Sequence, residues 1–163
     1  MVAAGILDGD TRTELVDGVL IDMNPGGPRH SGIVAWLTRQ LVIAAGDRFG
    51  VRVQDGLLMP DGGYLSPDLM VTEPLGRDRL PDSALLIIEV ASTSRLRDVQ
   101  KAAAYAAAGV GEYWIVDVDR DEVLVHREPG DAGYAEVKRF TAGDHITPLV
   151  DLPPVDVAAL LAR

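Results

Sequence analysis

The chain has 163 residues with 25 acidic and 15 basic side chains, a formal charge of −10, and 47% of its positions are apolar. A chain of this length can bury roughly 70% of the surface that its unfolded form exposes, so we expect one globular domain over residues 1–163. The absence of cysteine excludes disulfide scaffolds, thiolate zinc sites and cysteine nucleophiles, and it favours a reducing compartment, the cytoplasm.

Membrane insertion and export are not expected from the sequence. The apolar run 84–90 is far shorter than the roughly 20 residues of a spanning helix, and the N-terminus reaches Asp8 without a basic flank. The acidic balance disfavours bulk attraction to nucleic-acid phosphates. A nucleic-acid role therefore needs local chemistry, such as clustered carboxylates that bind a divalent cation bridging protein and phosphate.

The N-terminal part of the chain predicts a β-hairpin followed by a helix. Two short extended runs, 13–16 and 19–23, flank an Asp-Gly pair, which is a strong hairpin signal. Apolar residues then recur at spacings of three and four, which predicts an amphipathic helix beginning near His30 and ending near Gly46 or Gly50.

The middle of the chain predicts several strands around one buried strand. Residues 75–82 are charged, contain glycine and proline, and are typical of a surface loop. The run 84–90 is apolar except for one carboxylate, which predicts a central strand. The other predicted strands here are 51–54, 57–59 and 67–71.

The second half predicts a helix and further strands. Residues 95–108 are rich in alanine, end at Gly109 and follow possible N-cap residues at 92–94, so we expect a helix. Strands are predicted at 112–118, 122–126 and 134–140, and a short terminal helix at 156–162. This order is typical of an α/β or α+β fold in which helices flank a mixed sheet.

Glu89 is the most informative candidate for chemistry, because a charge in so apolar a strand is costly unless it is paired or binds a cation. Asp68 lies 21 residues earlier in a strand that we expect to neighbour it. Two carboxylates at neighbouring strand ends favour Mg²⁺, with the backbone carbonyl of Val90 as a further oxygen ligand. Lys101, on the following helix, is placed to reach back and stabilise charge near a phosphoryl group.

Each of these residues also has a structural interpretation. Glu89 can be a strand-end carboxylate paired with an arginine, and Asp68 can be a turn or cap residue. Lys101 can be a solvated helix residue paired with Asp98. Only the combination of the three favours a site.

Three further residues are secondary candidates. His30, near a helix start, is either a phosphate or substrate contact or a structural histidine. Glu14, in the hairpin, is a possible fourth member of the carboxylate and lysine cluster. Tyr105 is expected to pack in the core with Tyr113 and Trp114, and it is also a candidate for lining the cleft. No P-loop or dinucleotide-binding glycine pattern is present, so no nucleotide cofactor is expected.

Together these residues resemble the Uma-two family, which is grouped with the PD-(D/E)xK nuclease superfamily. The resemblance covers roughly residues 12–127, and its most specific part is the Gly-Val-x-Glu-Tyr-Trp stretch at 109–114. The matching segments are Glu14–Gly18, His30, Pro67-Asp68, Glu89-Val90, Lys101 and Tyr105–Asp117.

The resemblance implies a restriction-endonuclease-like core and a metal-dependent endonuclease that hydrolyses DNA, with a homodimer as the assembly. It implies Asp68 and Glu89 as ligands of Mg²⁺ or Mn²⁺ and Lys101 as the catalytic lysine. The superfamily's usual lysine position, two residues past Glu89, holds Ala91, and the resemblance resolves this by a lysine displaced onto the following helix. The alternative, suggested by the charge of −10, is a catalytically silent homodimeric interaction or structural protein that retains the fold.

Overall fold

The computed structural model describes the backbone of residues 13–16, 19–22, 27–91 and 95–163, and the side chains of 27–91 and 101–163. The helices are α1 (Pro28–Ala45), α2 (Arg95–Ala107) and α3 (Val157–Leu161). The strands are β1 (Thr13–Val16), β2 (Val19–Asp22), β3 (Gly50–Val53), β4 (Leu57–Leu58), β5 (Tyr64–Leu65), β6 (Leu69–Thr72), β7 (Leu86–Ala91), β8 (Glu112–Asp117), β9 (Glu122–Gly130), β10 (Gly133–Thr141), β11 (His145–Ile146) and β12 (Val155–Asp156).

A six-stranded mixed sheet forms the centre, in the order β10-β9-β8-β7-β6-β3. Its neighbouring strands are antiparallel except for β7 and β8, which are parallel. Parallel neighbours need a long crossover connection, and α2 supplies it between β7 and β8. Three two-stranded pairs lie outside this sheet: β1-β2, β4-β5 and β11-β12.

Successive side chains of β7 point to opposite faces of the sheet. Leu86, Ile88 and Val90 belong to the core cluster that contains the buried face of α1. Ile87 and Ala91 belong to the cluster that contains the α2 side chains. Glu89 lies between Ile87 and Ala91 in this alternation, so the single carboxylate of the strand lies on the α2 face.

The predicted fold class is confirmed, and the element boundaries shift by a few residues. Helix α1 begins at Pro28, two residues earlier than expected, because proline is well suited to the first helical position. It ends at Ala45 and is capped by Gly46, whose φ of 53° suits glycine. The hairpin strands β1 and β2 pair as predicted, while their Asp-Gly turn lies outside the described residues.

Two details differ from the sequence-based expectation. Strand β9 continues to Gly130, four residues beyond the predicted end, because it pairs with the whole of β10. Strands β5, β11 and β12 were not predicted, because each has only two residues, too few for an alternation pattern. In the described part of the chain, no helix is long and apolar enough to cross a bilayer.

Candidate active site

Strand register places three polar residues in one row at one end of the central sheet. Leu69 pairs with Ile88, so Asp68, which directly precedes β6, lies opposite Glu89. Leu69 also pairs with Val53, so Gln54 lies opposite Asp68 on the other side. Side chains of directly opposed residues in antiparallel strands share one face. Both carboxylates are buried, each with 4% of the residue exposed.

The Asp68 carboxylate is held by donors from three elements. Its Oδ2 accepts a hydrogen bond from the backbone N–H of Val90 at 2.9 Å and lies 3.0 Å from Nε2 of His30 in the first turn of α1. Its Oδ1 faces the side-chain amide of Gln54 at 3.5 Å. Burial acts to raise the pKa of Asp68, but the hydrogen bonds from His30 and Val90 and the charge of His30 outweigh it and lower the pKa.

Two donors from α2 meet at one oxygen of Glu89. Oε1 accepts from Nζ of Lys101 at 3.0 Å and from the hydroxyl of Tyr105 at 3.0 Å. These two residues are four apart on α2 and therefore lie on the same helix face. Oε2 lies on the side of the first carboxylate, 3.4 Å from the backbone N of Asp68.

The charge of this cluster favours a cation. Among the described side chains, two carboxylates face the buried ammonium of Lys101, which is 8% exposed, and the imidazole of His30. Among the side chains that the structure describes, no group of three or more His, Cys, Asp or Glu residues could hold a metal ion. Mg²⁺ is usually bound through one or two carboxylates together with waters and substrate phosphates. Asp68 and Glu89 fit such a site, in which waters and substrate complete the coordination.

Five of the sequence-predicted residues come together in the structure: His30, Asp68, Glu89, Lys101 and Tyr105. Their structural interpretations fit less well. The ammonium of Lys101 points inward to Glu89 and is buried, so it is not a solvated helix residue. The carboxylate of Asp68 bonds the backbone of a different strand and does not cap its own turn.

Two predicted ligands need separate comment. Val90 contributes its N–H to Asp68, and a role for its carbonyl stays a prediction. Glu14 lies in β1 opposite Ile21, and its side chain is outside the described residues. Its backbone strand contacts β5.

The whole arrangement can be compared with known proteins. Residues 5–159 match the model of the Uma2 family, which is described as "Putative restriction endonuclease". This chain belongs to the Uma2 family. The matched range contains every residue of the candidate site. No curated protein matches the chain significantly.

The Uma2 chain also has the fold of a solved protein. A crystal structure described as a putative nuclease of DUF820 from Anabaena variabilis ATCC 29413 superposes with a TM-score of 0.81 at 16% identity. The match covers 98% of this chain and 95% of that one. At this identity the likeness establishes the fold alone.

Sequence reasoning missed two residues that organise the site. Gln54 carried no signal, because its place beside Asp68 depends on strand register. Arg29 fixes the start of α1, and therefore His30, by donating to the carbonyls of Val118 and Leu161. A basic residue next to the helix-starting proline was the only available sign.

Proposed function

We propose that this Uma2 protein is a metal-dependent endonuclease of the PD-(D/E)xK type that hydrolyses DNA phosphodiester bonds with Mg²⁺ or Mn²⁺. One observation carries the proposal: two buried carboxylates, Asp68 and Glu89, lie opposite each other on neighbouring strands, and Lys101 contacts the second. Family membership supports a nuclease in general. The metal and the DNA substrate are inferred from the chemistry of the side chains.

Asp68 and Glu89 would hold the cation, with the carbonyl of Val90 as a third oxygen. When bound, the ion would polarise a phosphoryl oxygen and lower the pKa of the attacking water. Asp68 suits this role because its lowered pKa keeps it anionic at neutral pH. Its Oδ2 is already held by two donors, so this side of the carboxylate is fixed before any ligand arrives.

Lys101 would supply positive charge where the phosphoryl group becomes more negative. An ammonium has three N–H donors, so it can hold Glu89 and also stabilise charge that develops in the transition state. Tyr105 would keep Glu89 oriented, and His30 would orient Asp68 and line the substrate cleft. Glu14 remains a proposed fourth member of the site.

The acidic surface is consistent with this proposal if attraction to DNA is local. A protein with a charge of −10 gains little from bulk electrostatics. A cation shared by two carboxylates and a phosphate supplies attraction at the site itself. We also propose that the chain acts as a single domain in the cytoplasm and needs no nucleotide cofactor.

We propose a homodimer formed through β10, one of the two edge strands of the central sheet. Glu136 and Lys138 flank Val137, which is 52% exposed. A two-fold antiparallel pairing centred on Val137 would place Glu136 opposite the partner's Lys138, and opposite charges at such positions attract. Light scattering should show a dimer that Glu136→Lys disrupts and that Glu136→Lys combined with Lys138→Glu restores; a wild-type monomer would contradict this.

The nuclease proposal is tested with purified protein on supercoiled and linear duplex DNA. Cleavage should require Mg²⁺ or Mn²⁺ and stop in chelator. Asp68→Asn and Glu89→Gln should each abolish cleavage and weaken Mn²⁺ binding measured by calorimetry. Asp82→Asn is the matched control, because Asp82 is an exposed carboxylate in the loop between β6 and β7.

Two results would contradict the proposal. Cleavage that survives in both Asp68→Asn and Glu89→Gln would place the activity elsewhere. A wild-type protein that binds no Mn²⁺ and cuts neither DNA would favour the silent interaction or structural protein instead.

A further inference from the structure

Gln54 has an unusual backbone conformation at the edge of the candidate site. Its φ is 50°, in the left-handed region that residues other than glycine, asparagine and aspartate rarely adopt. The residue forms a bend directly after β3. In the next residues, the Gly56 N–H donates to the carboxylate of Asp55 at 2.8 Å. A glycine would adopt the same backbone at lower cost.

Two contacts connect this strained residue to Asp68. The backbone N–H of Gln54 donates to the carbonyl of Asp68 at 3.0 Å. Its side-chain Nε2 lies 3.5 Å from Oδ1 of the same residue. That oxygen is not the one that accepts from Val90 and contacts His30. The amide therefore approaches the carboxylate from its remaining oxygen.

We propose that Gln54 is a positioning residue, which retains its strained backbone because the side-chain amide sets the orientation of Asp68 for cation binding. Strained residues persist where the surrounding structure holds them, often at functional sites. The 3.5 Å separation is at the long limit of a hydrogen bond. Such a contact guides Oδ1 without competing strongly with a cation for its lone pairs. The inference deepens the proposed function and depends on it for its metal-binding consequence.

The decisive variant is Gln54→Gly, which removes the amide and relieves the backbone strain together. We expect its unfolding midpoint in urea to equal or exceed that of the wild type, while its affinity for Mn²⁺ falls about tenfold, as for other groups that orient metal ligands. Gln54→Asn also tolerates a left-handed backbone, but its side chain is one methylene shorter. It should bind Mn²⁺ as weakly as Gln54→Gly.

Glu128→Gly is the matched control, because Glu128 is exposed, has a φ of 59° and lies near the tip of the β9-β10 hairpin. It should gain stability with no change in Mn²⁺ affinity. Wild-type affinity in Gln54→Gly would overturn the proposal. A lower unfolding midpoint in Gln54→Gly would also overturn it, since Gln54 would then serve the fold.

A metal-free measurement separates this inference from the proposed function. If Gln54 orients Asp68, its loss should speed hydrogen exchange at the Val90 amide, which donates to Asp68, and leave the Leu86 amide unchanged. A wild-type protein that binds no Mn²⁺ would contradict the proposed metal site. Hydrogen exchange at the Val90 amide would still show whether Gln54 positions Asp68. Unchanged exchange there would overturn the inference.

Discussion

Glu112 and Glu89 are two of the buried carboxylates of the central sheet that have cationic partners, and their surroundings differ. Glu112, at the start of β8, accepts from Arg127 Nε and Nη2 through Oε1, at 2.9 and 2.6 Å, and from the Leu149 N–H through Oε2, at 2.7 Å. Glu89, near the end of β7, takes an ammonium and a hydroxyl on one oxygen and turns the other toward Asp68.

The difference separates a structural ion pair from a candidate site. The planar guanidinium of Arg127 makes a forked contact and also donates to the carbonyl of Thr147, so this pair fastens the 147–149 segment to the sheet. Lysine is a point charge that leaves more of a carboxylate available. A second carboxylate within reach, and not burial alone, distinguishes Glu89 from Glu112.

The sharpest test of this comparison is Lys101→Met. Cleavage should fall by a factor of about 10²–10³, because a group that stabilises developing charge is lost. Mn²⁺ binding should persist, since both carboxylates remain. Arg77→Met is the control, because Arg77 is an exposed cation in the loop between β6 and β7, away from the site. Normal cleavage by Lys101→Met would make Lys101 a structural residue.

Breaking the Arg127–Glu112 ion pair should lower stability and leave metal binding unchanged. Arg127→Met should lower the free energy of unfolding by about 3–5 kcal/mol, because it leaves the fully buried Glu112 unpaired. Urea titration followed by tryptophan fluorescence measures the loss. Lys101→Met should lose less stability, because Glu89 would still accept from Tyr105 and could still bind a cation. An equal loss of unfolding free energy in Lys101→Met would mean that both ion pairs are structural.

A smaller effect is expected at Tyr105, whose hydroxyl is the second donor to Glu89. Tyr105→Phe should cost about 1.5–3 kcal/mol of unfolding free energy without added metal, the usual range for a hydrogen bond to a charged group. Thermal and urea unfolding measure it. Tyr134→Phe is the control, since its hydroxyl donates to the Val110 carbonyl and not to the site. No loss of stability in Tyr105→Phe would leave Tyr105 as core packing alone.

The smallest effect concerns pH. The pKa of Asp68 is lowered in the folded protein, so its unfolded form, with a pKa of about 3.9, binds a proton first as pH falls. The stability that ionised Asp68 contributes is complete above that pH and is lost as pH falls through the folded pKa. Asp68→Asn should therefore show a shallower loss of stability between pH 5 and pH 2. Identical acid profiles for the two proteins would mean that Asp68 gains nothing from its donors.

The sequence predicted the helices, the sheet strands and the carboxylate in the apolar strand, because periodicity and capping are local signals. It placed Asp68 beside Glu89 only through the rule that nearby strands tend to pair. Gln54 could not be found, since its place in the row depends on a register that tertiary packing sets. Glu112 is the first residue of its strand. The sequence did not indicate that Arg127, 15 residues later, forms its ion pair.

The central claim is that Asp68 and Glu89 share one divalent cation. Crystals of the full chain soaked in Mn²⁺ and measured at the manganese absorption edge test it most directly. We predict an anomalous peak within coordination distance of both carboxylates, absent in Asp68→Asn. A map at saturating Mn²⁺ with no peak there, or with a peak bound by only one of the two residues, would contradict the account.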